Sequence, residues 1–104
     1  MQLHFVWHAF TVIWYRRIFD GILAHPDTQH VCLFTQPVNG IDAMGIEVFS
    51  DIRHSLARQQ VYLHISGMKL PIETLLRSAN ELLKGPFLRL YRTDADAVQQ
   101  FLNL

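Results

Sequence analysis

Histidine, cysteine and serine are the residue types here that could carry chemistry: six histidines, a single cysteine and a handful of serines. His4 and His8 stand four apart, a spacing that converges on a metal when both lie on one helix. Here they fall on a predicted strand and its exit, where the same spacing does not converge. His25 and His30 flank a turn, His54 lies on a predicted helix surface, and His64 is within a strand. No His-Glu-x-x-His run and no His–Cys cluster occurs, so no metal site is predicted. A hydrolase needs a nucleophile, a base and a group to orient them. Ser50 and Ser55 sit on the body of a helix, and Ser66 and Ser78 lack the Gly-x-Ser-x-Gly context of a nucleophile elbow. Cys32 stands inside the apolar run Val31-Cys32-Leu33-Phe34 and reads as a small buried hydrophobe. No catalytic residue and no cofactor is predicted.

A different kind of site is written in Asn39-Gly40-Ile41-Asp42-Ala43-Met44-Gly45. It follows the apolar run Val31–Phe34 and opens an amphipathic segment ending near Arg58. A strand that turns on Asn-Gly and caps a helix with Asp leaves backbone N–H groups toward solvent, a docking point for an anion or a partner protein. The segment lacks the glycine pattern and the lysine of a phosphate loop. Asp42 would also oppose a second negative charge at the helix start.

The elements around this corner follow from hydrophobic spacing. Leu3 to Trp7 reads as a strand. Tyr15, Ile18, Phe19 and Ile22 recur at helical spacing within 10–23, and His25-Pro26-Asp27 stops that helix. His30 to Thr35 is apolar on both faces, as a central parallel strand is. After Asp42 a helix buries Gly45, Phe49, Ile52 and Leu56 and exposes Glu47, Ser50, Asp51, His54 and Arg58. Gln60 to Ile65 is the third strand, with Ser66-Gly67 as its exit turn. Pro71 opens the next helix, whose apolar face is Ile72, Leu75, Leu76, Ala79, Leu82 and Leu83, and Gly85-Pro86 ends it with a left-handed residue and a breaker. Phe87 to Tyr91 is the fourth strand. Thr93-Asp94-Ala95-Asp96 resembles a capping box for a last helix packing Val98, Phe101 and Leu102. The order β-α-β-α-β-α-β-α, with short connections, predicts one α/β domain over 1–104: a small, mostly parallel sheet with helices packed against it.

Bulk properties narrow the partners. At 104 residues the chain can bury a core of its own. Lys and Arg together number nine, as do Asp and Glu, so no basic field exists to hold a nucleic acid backbone or an anionic membrane surface. The aromatic cluster Phe5, Trp7, Phe10, Trp14 and Tyr15 reads mainly as core. Its run from Phe5 to Tyr15 is about half the length of a bilayer crossing, so no transmembrane span is predicted. The lone cysteine fits a cytosolic setting.

Three stretches together resemble the STAS domain, the sulfate-transporter and anti-sigma-factor-antagonist module. Val38 to Gly45 is similar to the family's strand-to-helix signature of Asp, a small or hydroxyl residue, Ser or Thr, then Gly. Leu63-His64-Ile65-Ser66-Gly67-Met68 resembles the next strand with its glycine exit. Pro71 to Leu83 with Leu90-Tyr91-Arg92-Thr93-Asp94-Ala95-Asp96-Ala97 resembles the closing α-β-α. The resemblance implies a non-enzymatic regulatory and protein-interaction domain, nearest to the cytosolic domain of SulP-type sulfate or anion permeases. Its contact face would be Asn39, Gly40, Asp42, Ala43, Met44 and Gly45 with Ser66, Gly67 and Met68. The implied partner is a permease membrane domain or a cytosolic regulatory protein, on the cytoplasmic side. The alternatives are a stand-alone anti-sigma factor antagonist in transcriptional control and a small-ligand or weak nucleotide sensor. Antagonists carry a phosphorylatable Ser or Thr after the aspartate. Ala43 cannot take that phosphate, and with it the charge of about −1.5 to −2 that drives the switch; a switched antagonist would need Ser50 or Ser66 instead.

Overall fold

Alternating strands and amphipathic helices build, in the computed structural model, β1 (Gln2–Val6), α1 (Val12–Ala24), β2 (His30–Phe34), α2 (Ala43–Arg58), β3 (Tyr62–Ser66), α3 (Leu70–Ser78), β4 (Leu88–Tyr91) and α4 (Asp94–Leu102). The structure describes residues 2–6, 12–82, 85 and 87–102. Trp7, Phe10, Leu83 and Pro86 lie outside that set, as do the side chains of Phe5, Trp14, Tyr15, Phe101 and Leu102. The strands form one sheet in the order β1-β2-β3-β4, every neighbouring pair parallel.

A sheet that steps in one direction through right-handed crossovers places every crossover helix on the same face. The packing agrees. Val31 and Leu33 of β2 with Leu63 and Ile65 of β3 meet Ile18 and Ile22 of α1, Val48, Phe49, Ile52 and Leu56 of α2, and Ile72 and Leu76 of α3 in one core. Full burial of each large side chain in it contributes about 1.5–3 kcal/mol. The alternate strand positions point the other way. There Cys32 and Ala97 are buried, with Phe34 and Tyr91 packed against them under α4. One face thus carries three helices and the other a single described one. Burial pushes the Cys32 thiol up to about 12, with Asp94 adding to the effect, so the thiolate that reactivity requires is not formed.

Several element ends differ from expectation, each for a local reason. β3 begins at Tyr62 because Gln60, at φ 58°, closes α2 in the left-handed conformation. Gln60 N–H donates to the Ala57 carbonyl and Val61 N–H to that of Leu56. α3 stops at Ser78 because Asn80 takes the same left-handed role at φ 59°. Glu81 N–H then donates to the Leu76 carbonyl. Gly85, expected as the left-handed stop, does not have positive φ. Arg53 on α2 grips Glu81 at 3.0 Å and fixes the turn, which lets Leu82 stay buried beyond the helix end. Leu75 and Ala79 are consequently exposed rather than part of an apolar face. On α4 Ala97 turns inward against Cys32, and Val98 is left 46% exposed.

Candidate functional site

Parallel strands deliver their exits to one end of the sheet. β2, β3 and β4 all end there, and side chains tie their exits together. Thr35 donates its N–H and its hydroxyl to the Ser66 carbonyl, each at 2.9 Å. Gly67 N–H donates to the Tyr91 carbonyl at 3.1 Å. Ser66 Oγ donates to Asp94 Oδ1 at 2.5 Å, and Asp96 N–H donates to the Thr93 hydroxyl at 3.1 Å, half of the predicted capping box. The Lys69 ammonium donates to Asn39 Oδ1, joining the start of α3 to the loop before α2.

Asp42 caps α2. Its backbone is extended at φ −103°, ψ −177°, and Oδ1 accepts the Gly45 N–H at 2.7 Å. The carboxylate thereby takes the place at the helix N-terminus that an anion would use. Replacing Asp42 with Ala is expected to lower stability by about 1 kcal/mol, with Asn retaining most of it; urea unfolding of the two variants measures the difference.

The predicted contact residues divide into two groups. Asn39, Gly40, Asp42, Ala43 and Met44 are exposed, Met44 to 60%. Gly45, Ser66 and Gly67 are buried and Met68 is half-buried. Ser66, at 0% exposure and bonded to Asp94, positions the edge; it is neither a contact nor an open phosphate acceptor. Ser50 is half-buried and lies 3.2 Å from His54 Nδ1. The structure adds Lys69 and Leu70, the latter 72% exposed at the first turn of α3. A leucine left out of the helix's apolar face, directly before its opening proline, is the available signal for it.

Sequence spacing also missed a histidine pair. His30 Nδ1 lies 2.9 Å from His64 Nε2, and His64 Nδ1 lies 2.9 Å from the Tyr91 hydroxyl. The rings stack across three strands: His30 on Tyr62 at 5.1 Å, and His64 on Tyr91 at 5.7 Å. The Arg89 guanidinium lies 5.9 Å from the Tyr62 ring centre. Burial, then His30 and Arg89, push the His64 imidazole down to about 4. Burial likewise lowers His30 and raises Tyr91. These shifts favour the neutral forms of His30, His64 and Tyr91, and no group of three metal-ligating side chains forms among the described residues. No described helix is long and apolar enough to cross a membrane.

No family model and no curated protein matches this chain. Solved structures do. The NMR structure of the protein TM1081 is 17% identical, with a TM-score of 0.66 over 88% of this chain and 70% of that one. The crystal structure of tm1081 from Thermotoga maritima, described there as a candidate anti-sigma factor antagonist, is 13% identical, with a TM-score of 0.62 over 95% of this chain and 80% of that one. At such identities the likeness is one of architecture: the chain has the small α/β, STAS-like fold of that protein.

Proposed function

We propose that this chain is a non-enzymatic docking module of the anti-sigma-factor-antagonist kind, binding a regulatory protein through the starts of α2 and α3. One observation carries the reading. Met44 and Leu70, 60% and 72% exposed, open two helices whose leading loops are tied by Asn39 and Lys69. Large apolar side chains held at a rigid polar edge are what a partner surface needs. Asp42 and Gly67 hold the edge in shape, and Met44 offers an adaptable apolar contact. Ala43 removes the hydroxyl at which such a corner is switched, so docking here is not governed by phosphate at that position. The fold likeness supports a stand-alone antagonist-like role. Attachment to a SulP-type permease draws no support from either solved relative.

The test is titration against the anti-sigma factors encoded in the same genome, followed by calorimetry. Binding by the natural chain is expected. The double change Met44→Glu and Leu70→Glu is expected to weaken it by at least about tenfold, or roughly 1.4 kcal/mol, with an unchanged circular dichroism spectrum. Equal affinity with an intact fold would remove this edge from consideration. Failure of the natural chain to bind any of them would remove the class.

A further inference from the structure

β4 is the last strand of the sheet, and no described strand pairs with its outer side. Its inner side is identified by the ladder. Leu63 N–H donates to the Phe87 carbonyl and Gly67 N–H to the Tyr91 carbonyl. Backbone groups alternate along a parallel strand, so those of Phe87, Arg89 and Tyr91 face β3. Those of Leu88 and Leu90 face outward. Natural sheets blunt such an edge with a short strand, charge, proline, a bulge or a covering element; Leu88–Tyr91 is short and carries Arg89 but has no proline, and Leu90 is 39% exposed.

Two cavities run along this edge and share Leu90. One, of about 280 Å³, lies toward α3 and is lined by Met68, Glu73, Arg77 and Arg92 among others. The other, of about 300 Å³, continues beside Leu88 and Arg89. Three arginines therefore border the edge against one carboxylate, and that carboxylate is already held by Arg77 at 2.7 Å. The remaining positive charge decides the occupant. A second copy pairing edge to edge would bring arginines against arginines. An acidic partner would not.

We propose that β4 is a strand-addition site for an extended acidic peptide segment. The segment hydrogen-bonds to the outward backbone groups of Leu88 and Leu90. Its apolar side chains rest on Leu90 and Met68, and its carboxylates meet Arg92 and Arg89. The site lies along the outer side of β4 and meets the predicted contact face only at Met68; its test does not use Met44 or Leu70.

The probe is a blocked six-residue peptide of alternating valine and glutamate, titrated into the isotope-labelled chain and followed by NMR. Saturable shifts are expected at the Leu88 and Leu90 amides, with slowed hydrogen exchange there and a Kd at or below about 1 mM. A peptide of alternating valine and lysine should not bind. Arg92→Glu is expected to weaken binding about tenfold, and Leu90→Pro to abolish it, since only an outward N–H is removed. Arg92 is exposed, so its variant serves if Leu90→Pro does not fold. The proposal is overturned if those amides do not move, if the lysine peptide binds as well, or if Arg92→Glu binds unchanged. A dimer that protects the same amides without peptide would also overturn it, in favour of a second copy.

Discussion

Acidification from pH 6.5 to 4 is expected to cost the fold roughly 3 kcal/mol through His64 alone. His64 is 3% exposed, and its imidazole is held down at about 4 against an ordinary value of 6.5. As pH falls through 6.5 the unfolded chain binds a proton that the folded chain does not take until about 4. Stability is therefore level above that window and drops as pH falls through it. Burial is the main cause of the reluctance, and repulsion from His30 and Arg89 adds to it. His30 of β2 bonds at Nε2 and Tyr91 of β4 at Nδ1. Tyr62 closes the stack beside His30, and Cys32 and Asp94 lie on the same side of the sheet. The chain of bonds accepts one proton by reversing direction, His30 donating to His64 and His64 to Tyr91. A second proton sets two N–H donors against each other. Urea unfolding at pH 7, 5.5 and 4.5 measures the effect. His64→Gln keeps a donor and an acceptor but cannot titrate, so its stability should fall less steeply. Parallel slopes for the two proteins would refute the assignment, because the carboxylates are common to both.

This cluster marks the limit of what the sequence makes legible. His30 and His64 are 34 positions apart, and only the register of β2 on β3 brings them together. Period-two alternation does reveal which residues share a face: His30, Cys32 and Phe34 on one strand, Tyr62, His64 and Ser66 on the next. It does not reveal strand order, and hence neither the neighbour of each histidine nor the openness of the face. Strand order also decides that three helices share one side. The Asp42 cap, by contrast, is a local event; its Oδ1 reaches the Gly45 N–H as the spacing implies. The same locality misled at the end of α3. Leu82 and the apolar positions before it continue a helical pattern, yet Asn80 breaks the helix because the Arg53–Glu81 pair and burial of Leu82 outweigh propensity. Exposure was legible where it follows from a loop, as at Asn39 and Met44. It was misjudged where a strand end is buried by its neighbours, as at Ser66.

The second large effect concerns the joint between two of those strand exits. Gly67 has φ 71°, in the left-handed region, and a Cβ there would lie 2.9 Å from Gln36 Oε1, 3.2 Å from Gln36 Cβ and 3.4 Å from Gln36 N. Gly67→Ala is expected to lose about 2 kcal/mol, most of it from the left-handed backbone, which costs about 1–2 kcal/mol for a residue bearing Cβ. The Oε1 contact is soft because the Gln36 side chain is exposed and can swing away. The Cβ and backbone contacts are harder, because Gln36 is anchored between Thr35, bonded to Ser66, and Val38, whose N–H donates to Thr35. Relief must come from moving the loop that leads to Asp42 and Met44. The substitution should thus shift the amide resonances of Asn39 to Gly45 and weaken partner binding although Gly67 is itself buried. Gln36→Ala in the same chain should restore only the small share due to Oε1. Gly40→Ala is the matched control: nothing lies within 4 Å of its Cβ and its φ is not positive, so stability should hold or rise by a few tenths of a kcal/mol. Equal losses at Gly40 and Gly67 would show that glycine content alone governs this edge. A loss at Gly67 with the 39–45 resonances unmoved would show that the two exits are not mechanically joined.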